Sequence, residues 1–333
     1  MDILIFISSF IVINLVLSLN LQRLSNFINT YDKPDGKLKK HSIKTPLLGG
    51  VIFFINFSFF LLFEFSFLEV FKDFNKRELF SLFFIVSSFF FLGLYDDKFK
   101  MSAYIRIVLA LTICFITITL NNKLIISSFQ ISFYENQIFL ENLKVIFTIF
   151  SFVAFIHACN MLDGINLQLT LFYIFLTIYL FLITSVFIHV YLFIIISLFS
   201  ILLLNFKKKL FLGDSGAYCI ACILGYFIVI EHNVYKNIEF ADEIFLIMIL
   251  PGFELIRLSI LRSTRGQNIF KGDLDHLHHI LFIKNKYSLI STNLITSTFT
   301  IVSLFGIIYF KDMYILIFFS LLVYYLTLIF FKR

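Results

Sequence analysis

The feature that most constrains this chain is a series of long apolar segments separated by short polar loops. A helix needs about 20 apolar residues to cross the ~30 Å hydrocarbon layer of a bilayer. Of the 333 residues, 60% are hydrophobic and only 14% are charged, a composition that excludes a water-facing globular surface. We therefore predict an all-α integral membrane protein, a single polytopic domain over residues 1–333, with about eleven transmembrane helices. The predicted spans lie near 3–21, 48–68, 79–94, 102–120, 143–159, 168–184, 187–204, 216–231, 243–261, 290–309 and 313–330.

Three segments need separate interpretation. Residues 1–21 begin without a basic stretch or a small-residue cleavage site, so they are expected to form a retained first span. Residues 121–142 alternate weakly between polar and apolar side chains and predict a small hairpin outside the membrane. Cys219 and Cys222 have a spacing typical of redox or zinc sites, but they lie inside a span without a second pair. We predict that both are small core residues.

Positive charge is distributed unequally between the two sides of the membrane. With the N-terminus outside, the cytoplasmic loops and the C-terminus hold 18 of the 27 Lys and Arg residues, and the opposite side holds 6. Because Lys and Arg are retained on the cytoplasmic side, we predict an external N-terminus and a cytoplasmic C-terminus. The net charge of +6 then reflects membrane topology, and no nucleic-acid partner is expected.

The polar motifs gather on the predicted cytoplasmic side, where nine of the twelve glycines also lie. Helix packing alone gives no reason for this bias. It predicts one active site, assembled from five loops at the cytoplasmic membrane face. The densest polar clusters are Asp96-Asp97, Asn160–Asp163, Gly213–Gly216 and Asp275–His279.

The acidic clusters have both a catalytic and a structural interpretation. Asp96 and Asp97 repel each other near a low-dielectric boundary unless a cation or a nearby basic residue, Lys98, Lys100 or Arg106, compensates; the alternative is a solvated helix end. Asp214 lies between two glycines at a helix start, which would leave backbone N–H groups open to an anion and a carboxylate open to a divalent cation. The alternative is that Asp214 or the following serine caps the helix.

The other clusters allow the same two interpretations. Asn160 and Asp163 share a helical face and supply the oxygen ligands that Mg²⁺ prefers, or they end a helix. The three histidines at 276–279 have a zinc-like density, but without cysteine ligands we favour phosphate or nucleotide contacts over zinc or a generic basic loop. Glu254 and Arg257, three residues apart in the ninth span, predict a structural ion pair.

Taken in order, these segments resemble the polyprenyl-phosphate N-acetylhexosamine-1-phosphate transferase family (glycosyltransferase family 4), whose members include WecA-type and MraY-type enzymes. The match runs from about residue 30 to residue 285, and the His-x-His-His form of the last motif is closer to the WecA-type branch. The segments that carry the resemblance are His41–Gly50, Gly93–Asp97, Asn160–Asn166, Phe211–Gly216 and Arg265–His279.

The resemblance implies a Mg²⁺-dependent phosphotransferase, with Mn²⁺ as an alternative ion, in the cytoplasmic membrane of a bacterium. It implies transfer of an N-acetylhexosamine 1-phosphate from a UDP-sugar to undecaprenyl phosphate, with release of UMP, at the start of a cell-envelope polysaccharide. An MraY-like phospho-N-acetylmuramoyl-pentapeptide transferase is the alternative reaction. The donor sugar and a homodimeric state are left open.

Residue roles follow from the same resemblance. The implied metal ligands are Asn160 and Asp214, and the implied catalytic acids are Asp96, Asp97 and Asp163. The implied substrate-binding residues are His41, Lys44, Arg106, Asn205, Phe211, Arg265, His276, His278 and His279. The chain departs from the family at Asn166 and Leu167, where a second Asp and a Gly are usual, and at His157, where an Asn is common.

The chemistry leaves two routes and two rival functions. The lipid phosphate is already anionic at neutral pH, so we expect direct attack on the sugar-bearing phosphorus. A double displacement through Asp96 or Asp97 is the alternative. A transporter would place polar residues near the bilayer midplane rather than at one surface. A non-catalytic scaffold is the second rival, favoured only by the departure at Asn166.

Overall fold

The protein is described by a computed structural model that covers residues 3–32, 44–68, 70–268, 274–310 and 312–332. The chain there is mainly helical, as the apolar segments predict. The helices are α1 (Ile3–Leu19), α2 (Leu21–Ile28), α3 (Gly49–Phe67), α4 (Lys76–Phe99), α5 (Ala103–Leu120), α6 (Lys144–Leu162), α7 (Gln168–Ile183), α8 (Ile188–Phe206), α9 (Gly213–Ile230), α10 (Ala241–Ile247), α11 (Ile249–Thr264), α12 (Leu277–His279), α13 (Leu289–Tyr309) and α14 (Met313–Lys332).

Eight of these helices are long and apolar enough to cross a membrane. Two further crossings are formed if each bent pair is one span: α1 with α2, bent by 67°, and α10 with α11, bent by 86°. The remaining predicted span coincides with α7, which has only 16 residues and is about 24 Å long at 1.5 Å per residue. The integral membrane class is thus supported with eight to ten spans, and the number eleven stays a prediction.

The predicted hairpin is confirmed. Strands β3 (Ser128–Ile131) and β4 (Tyr134–Phe139) pair antiparallel between α5 and α6, with an irregular register between Phe129 and Ile131. A second, shorter pair joins β1 (Tyr31–Asp32) to β2 (Thr45–Pro46), on either side of residues 33–43. Both pairs lie outside the long helices.

Helix α9 forms the centre of the bundle, in contact with α3, α4, α6 and α7. Every residue of α9 except Asp214 is buried. Its glycine, alanine and cysteine residues leave room for neighbouring helices to approach closely, which is how helices associate in a membrane. Cys219 and Cys222 are buried free thiols within it, so the prediction that they are core residues is confirmed.

Helix backbones approach closely where glycines of α3, α4 and α9 meet. A Cβ atom on Gly93 would lie 2.5 Å from the carbonyl oxygen of Asp214, and one on Gly50 would lie 2.4 Å from the amide nitrogen of Gly216. No larger residue fits at these distances without moving a backbone. The glycines therefore bring the start of α3, the end of α4 and the start of α9 together at one end of the bundle.

The two ends of the chain lie at opposite ends of the bundle. Asn285, which follows α12, donates a hydrogen bond of 2.7 Å to the carbonyl oxygen of Phe331 near the end of α14. The ring of Phe6 in α1 instead packs 5.2 Å from the ring of His189 at the start of α8. Since the end of α8 lies near the glycine contact, the start of α8 is at the other end.

The glycine contact yields a test of the fold. Gly93→Ala is expected to lower the free energy of unfolding by about 1–3 kcal/mol, because the new methyl group overpacks a backbone contact. The matched control is Gly252→Ala, whose Cβ would meet only Met248 Cβ at 3.8 Å and should not destabilise α11. Thermal melting of both purified variants in detergent measures the difference. Equal melting temperatures for the two variants would contradict this contact.

Candidate active site

The carboxylate of Asp97 closes the N-terminal end of α9. Its Oδ1 accepts a hydrogen bond from the amide of Asp214 (2.8 Å) and its Oδ2 accepts one from the amide of Ser215 (3.1 Å). A carboxylate at this position satisfies N–H groups that have no partner within the helix, and the helix dipole stabilises its charge. The prediction that this helix end is open to a substrate anion is therefore wrong, because Asp97 already occupies it.

Gly213 makes this approach possible. Its φ is +75°, a conformation that glycine adopts without the steric cost of a Cβ atom. A Cβ atom there would also lie 2.8 Å from Asp97 Oδ2. The glycine before Asp214 is thus explained by the capping carboxylate, and neither Asp214 nor Ser215 caps α9 with its own side chain.

Asp96 is buried and has different partners from its neighbour. Its Oδ2 lies 3.0 Å from Arg106 Nη1, and its Oδ1 accepts a hydrogen bond of 2.7 Å from the amide of Met101. Arg106 Nη1 also lies 3.5 Å from Tyr218 Oη. Arg106 is therefore the nearby basic residue that compensates the charge of the acidic pair. Separate partners for the two carboxylates offset the repulsion between them.

Acidic residues from four separate segments converge beside this cap. The Asp214 carboxyl interacts electrostatically with Asp97, Asp96 and Asp163. Asp163, which follows the last turn of α6, interacts in turn with Asp97 and with Asp32 of β1. All three predicted catalytic acids and the predicted metal ligand Asp214 thus lie in one cluster.

Asp163 has the electrostatic surroundings of a residue that resists ionisation. Burial raises its pKa first of all, and the nearby carboxylates of Asp97 and Asp32 raise it further, from 3.8 to about 7. A bound cation would reverse this effect, because it stabilises the ionised form.

Asn160 and Asp214 are the predicted metal ligands, and their surroundings fit Mg²⁺. Asn160 lies in the last turn of α6, and its Oδ1 is buried without a hydrogen-bond partner in the described part of the chain. Buried polar atoms normally have a partner. Mg²⁺ commonly takes one or two carboxylates together with water and substrate phosphates. Among the described residues, no group of three His, Cys, Asp or Glu side chains is arranged to hold a metal ion by itself.

The histidine motif lies against the acidic cluster. His278 is buried, and a Cβ atom on Gly164, the residue after Asp163, would lie 1.9 Å from its Nε2. Neither ring nitrogen of His278 has a partner among the residues with described positions. The rings of His276 and His278 are stacked at 5.0 Å, and the ring of His279 lies 4.3 Å from that of His278.

Two predicted substrate-binding residues lie at the edge of this site. Arg265 is 44% exposed and forms a salt bridge of 2.8 Å with Asp275, which Lys284 also contacts at 3.0 Å. Lys44 is exposed, with its Nζ 3.9 Å from the centre of the Tyr31 ring. Both cations therefore have local partners and still reach the surface.

Phe211 joins the start of α3 to the segment before α9. Its amide donates to the carbonyl oxygen of Pro46 (2.9 Å), and its own carbonyl oxygen accepts from the amide of Gly49 (3.1 Å). Its side chain is half-buried. His41 lies outside the described residues, so its predicted role stays a prediction.

Two asparagines, Asn166 and Asn205, contact each other at the end of α8. Asn205 is buried, its carbonyl oxygen accepts from Asn166 Nδ2 at 3.2 Å, and its Oδ1 has no described partner. Leu167 adopts φ +75°, the left-handed region that glycine occupies more easily. This departure from the family motif therefore places a leucine in a backbone conformation suited to glycine, at a cost of about 1–3 kcal/mol.

His157 is the third departure from the motif. Its ring lies 6.0 Å from that of Tyr218, it interacts electrostatically with Arg106, and its buried Nε2 has no partner in the described ranges. His157 thus lies on the Arg106 side of the site.

Sequence reasoning missed several residues that surround the site. Asp32 belongs to none of the sequence motifs. It lies in β1, which pairs with β2, and it is near enough to Asp163 to interact with it electrostatically. Tyr218 reaches Arg106 from the second turn of α9. Its position four residues after Asp214, on the same face of a helix, was the one signal that could have identified it.

Comparison with known proteins agrees with the motif pattern. Residues 79–232 match glycosyl transferase family 4. Undecaprenyl-phosphate alpha-N-acetylglucosaminyl 1-phosphate transferases of Salmonella typhi and Thermotoga maritima are both 26% identical, over 76% and 75% of this chain and 69% and 72% of their own lengths. A phospho-N-acetylmuramoyl-pentapeptide-transferase of Prochlorococcus marinus is 26% identical over 81% of this chain and 76% of its own length. The resemblance predicted from the motifs is confirmed.

The raised pKa of Asp163 predicts a pH-dependent stability in the absence of metal. Between about pH 4 and about pH 7 the folded protein holds a proton that the unfolded chain releases, so stability falls as pH rises. Melting temperatures in EDTA should decline across this range, and Asp163→Asn should remove part of the decline. Glu135→Gln, which changes an exposed carboxylate in the hairpin, is the control. An unchanged slope in Asp163→Asn would contradict the assignment.

Proposed function

Because the chain is related to glycosyl transferase family 4, we propose that it transfers an N-acetylhexosamine 1-phosphate from a UDP-sugar to undecaprenyl phosphate. The products are a polyprenyl-diphosphate sugar and UMP. The relatives from Salmonella typhi and Thermotoga maritima are named undecaprenyl-phosphate alpha-N-acetylglucosaminyl 1-phosphate transferases, which supports a reaction of this kind. The reaction begins the assembly of a cell-envelope polysaccharide.

One observation carries the proposal: the ends of α4, α6 and α9 bring the carboxylates of Asp96, Asp97, Asp163 and Asp214 into one electrostatic cluster. Asn160 precedes Asp163 by three residues, and its amide oxygen has no partner among the described residues. An acidic cluster of this kind is unfavourable without a cation. Asn160, Asp163 and Asp214 are the residues that would hold Mg²⁺. When bound, Mg²⁺ neutralises charge on the diphosphate and favours departure of UMP.

The other residues position the reactants. His278 offers two ring nitrogens without described partners beside the Asp163 turn, in reach of a donor phosphate bound there. Arg106 places positive charge next to Asp96 and Asp214. Lys44 at the surface completes the positive side of the proposed phosphate site, and His41, outside the described residues, stays a predicted substrate-binding residue. Alignment and charge stabilisation of this kind account for most catalysis of phosphoryl transfer.

The hydrogen bonds of the acidic pair favour direct attack by the lipid phosphate. Both oxygens of Asp97 accept from the backbone of α9, and both oxygens of Asp96 have partners in Arg106 and Met101. A nucleophilic carboxylate would have to leave these bonds before it reached phosphorus. We therefore assign positioning roles to Asp96 and Asp97.

We place the site at the cytoplasmic face of the bacterial inner membrane. The Lys and Arg distribution supports this orientation, and the chain ends at opposite ends of the bundle agree with an external N-terminus and a cytoplasmic C-terminus. The short helix α7 would then be an eleventh, locally thin crossing. UDP-sugars would reach the acidic cluster from the cytoplasm.

The Prochlorococcus marinus relative supports a second reaction, transfer of phospho-N-acetylmuramoyl-pentapeptide. The His-x-His-His motif favours the N-acetylhexosamine reaction instead. A panel of UDP-sugar donors, including UDP-N-acetylmuramoyl-pentapeptide, distinguishes the two reactions. A transporter would turn over none of these donors.

Membranes that contain the protein should form a lipid-linked diphosphate sugar from a UDP-N-acetylhexosamine and undecaprenyl phosphate only when Mg²⁺ is supplied. Asp214→Ala should lower this rate about 100- to 1000-fold, the loss typical of removing one group that stabilises transition-state charge. Asp312→Ala, at an exposed aspartate beyond the opposite end of α13, should keep the wild-type rate. Full activity in EDTA or in Asp214→Ala would overturn the proposed metal site.

Direct attack makes a separate prediction. Incubation with a donor labelled with ³²P in the sugar-bearing phosphate, without the lipid acceptor, should leave no label on the acid-quenched protein. A covalent phosphoryl group that disappears in Asp97→Asn would instead establish the double displacement.

A further inference from the structure

Glu254 is a buried acidic residue of α11 that the mechanism above does not use. Its side chain is 2% exposed. One oxygen, Oε2, lies 3.1 Å from Nδ1 of His276 and accepts a hydrogen bond of 3.2 Å from the amide of Leu277. The carboxylate of Glu254 therefore contacts the first residues of the histidine motif directly.

The other side of the carboxylate is fixed by two further residues. Arg257 Nη2 lies 3.0 Å from Glu254 Oε1, as predicted for an ion pair three residues apart on a helix. Tyr324 of α14 donates to the same oxygen and accepts a hydrogen bond of 2.8 Å from Arg257 Nε. Three side chains from two helices thus form one closed network.

Arg257 extends the network to the same segment that Glu254 holds. Its Nη2 donates a hydrogen bond of 2.7 Å to the carbonyl oxygen of Asp275. Three consecutive residues, 275–277, are therefore attached to α11 through one ion pair. A buried ion pair adds little net stability. The contacts of Glu254 and Arg257 with residues 275–277 are therefore a better explanation for the pair than its contribution to stability.

The segment needs such an attachment because α12, even with the π-helical turn Ile280–Lys284 that continues it, has only eight residues and is too short to be stable alone. It carries His278, whose ring stacks on that of His276 and lies against Gly164. The position of His278 beside Asp163 is thus linked to Glu254 through His276. The imidazole of His278 cannot take that position unless the start of α12 is held.

We propose that Glu254 is a positioning residue: with Arg257 and Tyr324, it holds the start of α12 so that His278 faces the donor phosphates. The inference rests on the proposed function for the identity of the ligand. The placement of His278 itself does not depend on the reaction. Loss of the Glu254 charge should therefore change both the accessibility of His278 and the turnover rate.

The first measurement is independent of activity. Hydrogen–deuterium exchange at the imidazole Cε1 position of His278, followed by mass spectrometry, reports how tightly the ring is held. Exchange in Glu254→Gln should be faster than in the wild type. The control is Glu243→Gln, which changes a buried glutamate of α10 that accepts from the amides of Glu239 and Phe240. It should leave exchange at His278 unchanged.

The second measurement is kinetic. Glu254→Gln should lower kcat about 10- to 100-fold with a smaller change in the KM for the UDP-sugar, because misalignment of about 1 Å has effects of that size. Its melting temperature should fall below that of Glu243→Gln, because Arg257 is left without its buried partner charge, and kcat is therefore compared at a temperature where both variants are folded. Tyr324→Phe, which removes only one partner of Glu254, should shift exchange and kcat in the same direction by less.

Wild-type exchange at His278, or wild-type kcat, in a folded Glu254→Gln protein would overturn the proposal. If Glu254→Gln does not fold, Tyr324→Phe decides by the same two readouts. If the wild type turns over no UDP-sugar, the proposed function fails, and the exchange measurement still decides whether Glu254 holds His278.

Discussion

The contact between the Asp97 carboxylate and the first amides of α9 is the interaction on which the rest of the site depends. It joins the end of α4 to the start of α9, the most buried helix in the described structure. Hydrogen bonds to an ionised acceptor are the stronger kind. Gly93 and Gly213 make the short approach possible, so one electrostatic contact and two glycines set the distance between the helices.

That contact divides the acidic residues into two groups. Asp96 and Asp97 have their oxygens satisfied by Arg106, Met101 and the start of α9, and so they hold the ends of helices. Burial and the charges of neighbouring carboxylates act on Asp163 and Asp214, as they also do on Asp97. The first group fixes the geometry, and the second leaves negative charge that a cation would balance. An adjacent pair of aspartates thus serves an architectural purpose at a site whose proposed metal ligands come from other helices.

The sequence predicted the features that depend on local composition. Apolar length located the helices and alternation located the hairpin, because both properties are confined to a few consecutive turns. Sequence patterns could not predict contacts between residues far apart in the chain. Asp97 and Asp214 are 117 residues apart, and Glu254 and Tyr324 are 70 apart. A motif identified Asp97 as important without indicating that its partner is a helix end. Glu254 was predicted to pair with Arg257, but nothing local indicated that the pair holds the histidine segment.

The helix ends at the site explain why a site for a diphosphate is lined with acids. Helices α9 and α12 direct their positive N-terminal ends here, and each already holds a carboxylate, from Asp97 and Glu254. Helices α4 and α6 direct their C-terminal ends here, and these carry partial negative charge. None of the four ends is therefore available to attract a phosphate. Under the proposed function, positive potential has to come from side chains such as Arg106 and Lys44 and from a cation held by Asp163, Asp214 and Asn160. Under that proposal the acids fix the helix ends and would also hold the cation, which would in turn attract the donor diphosphate.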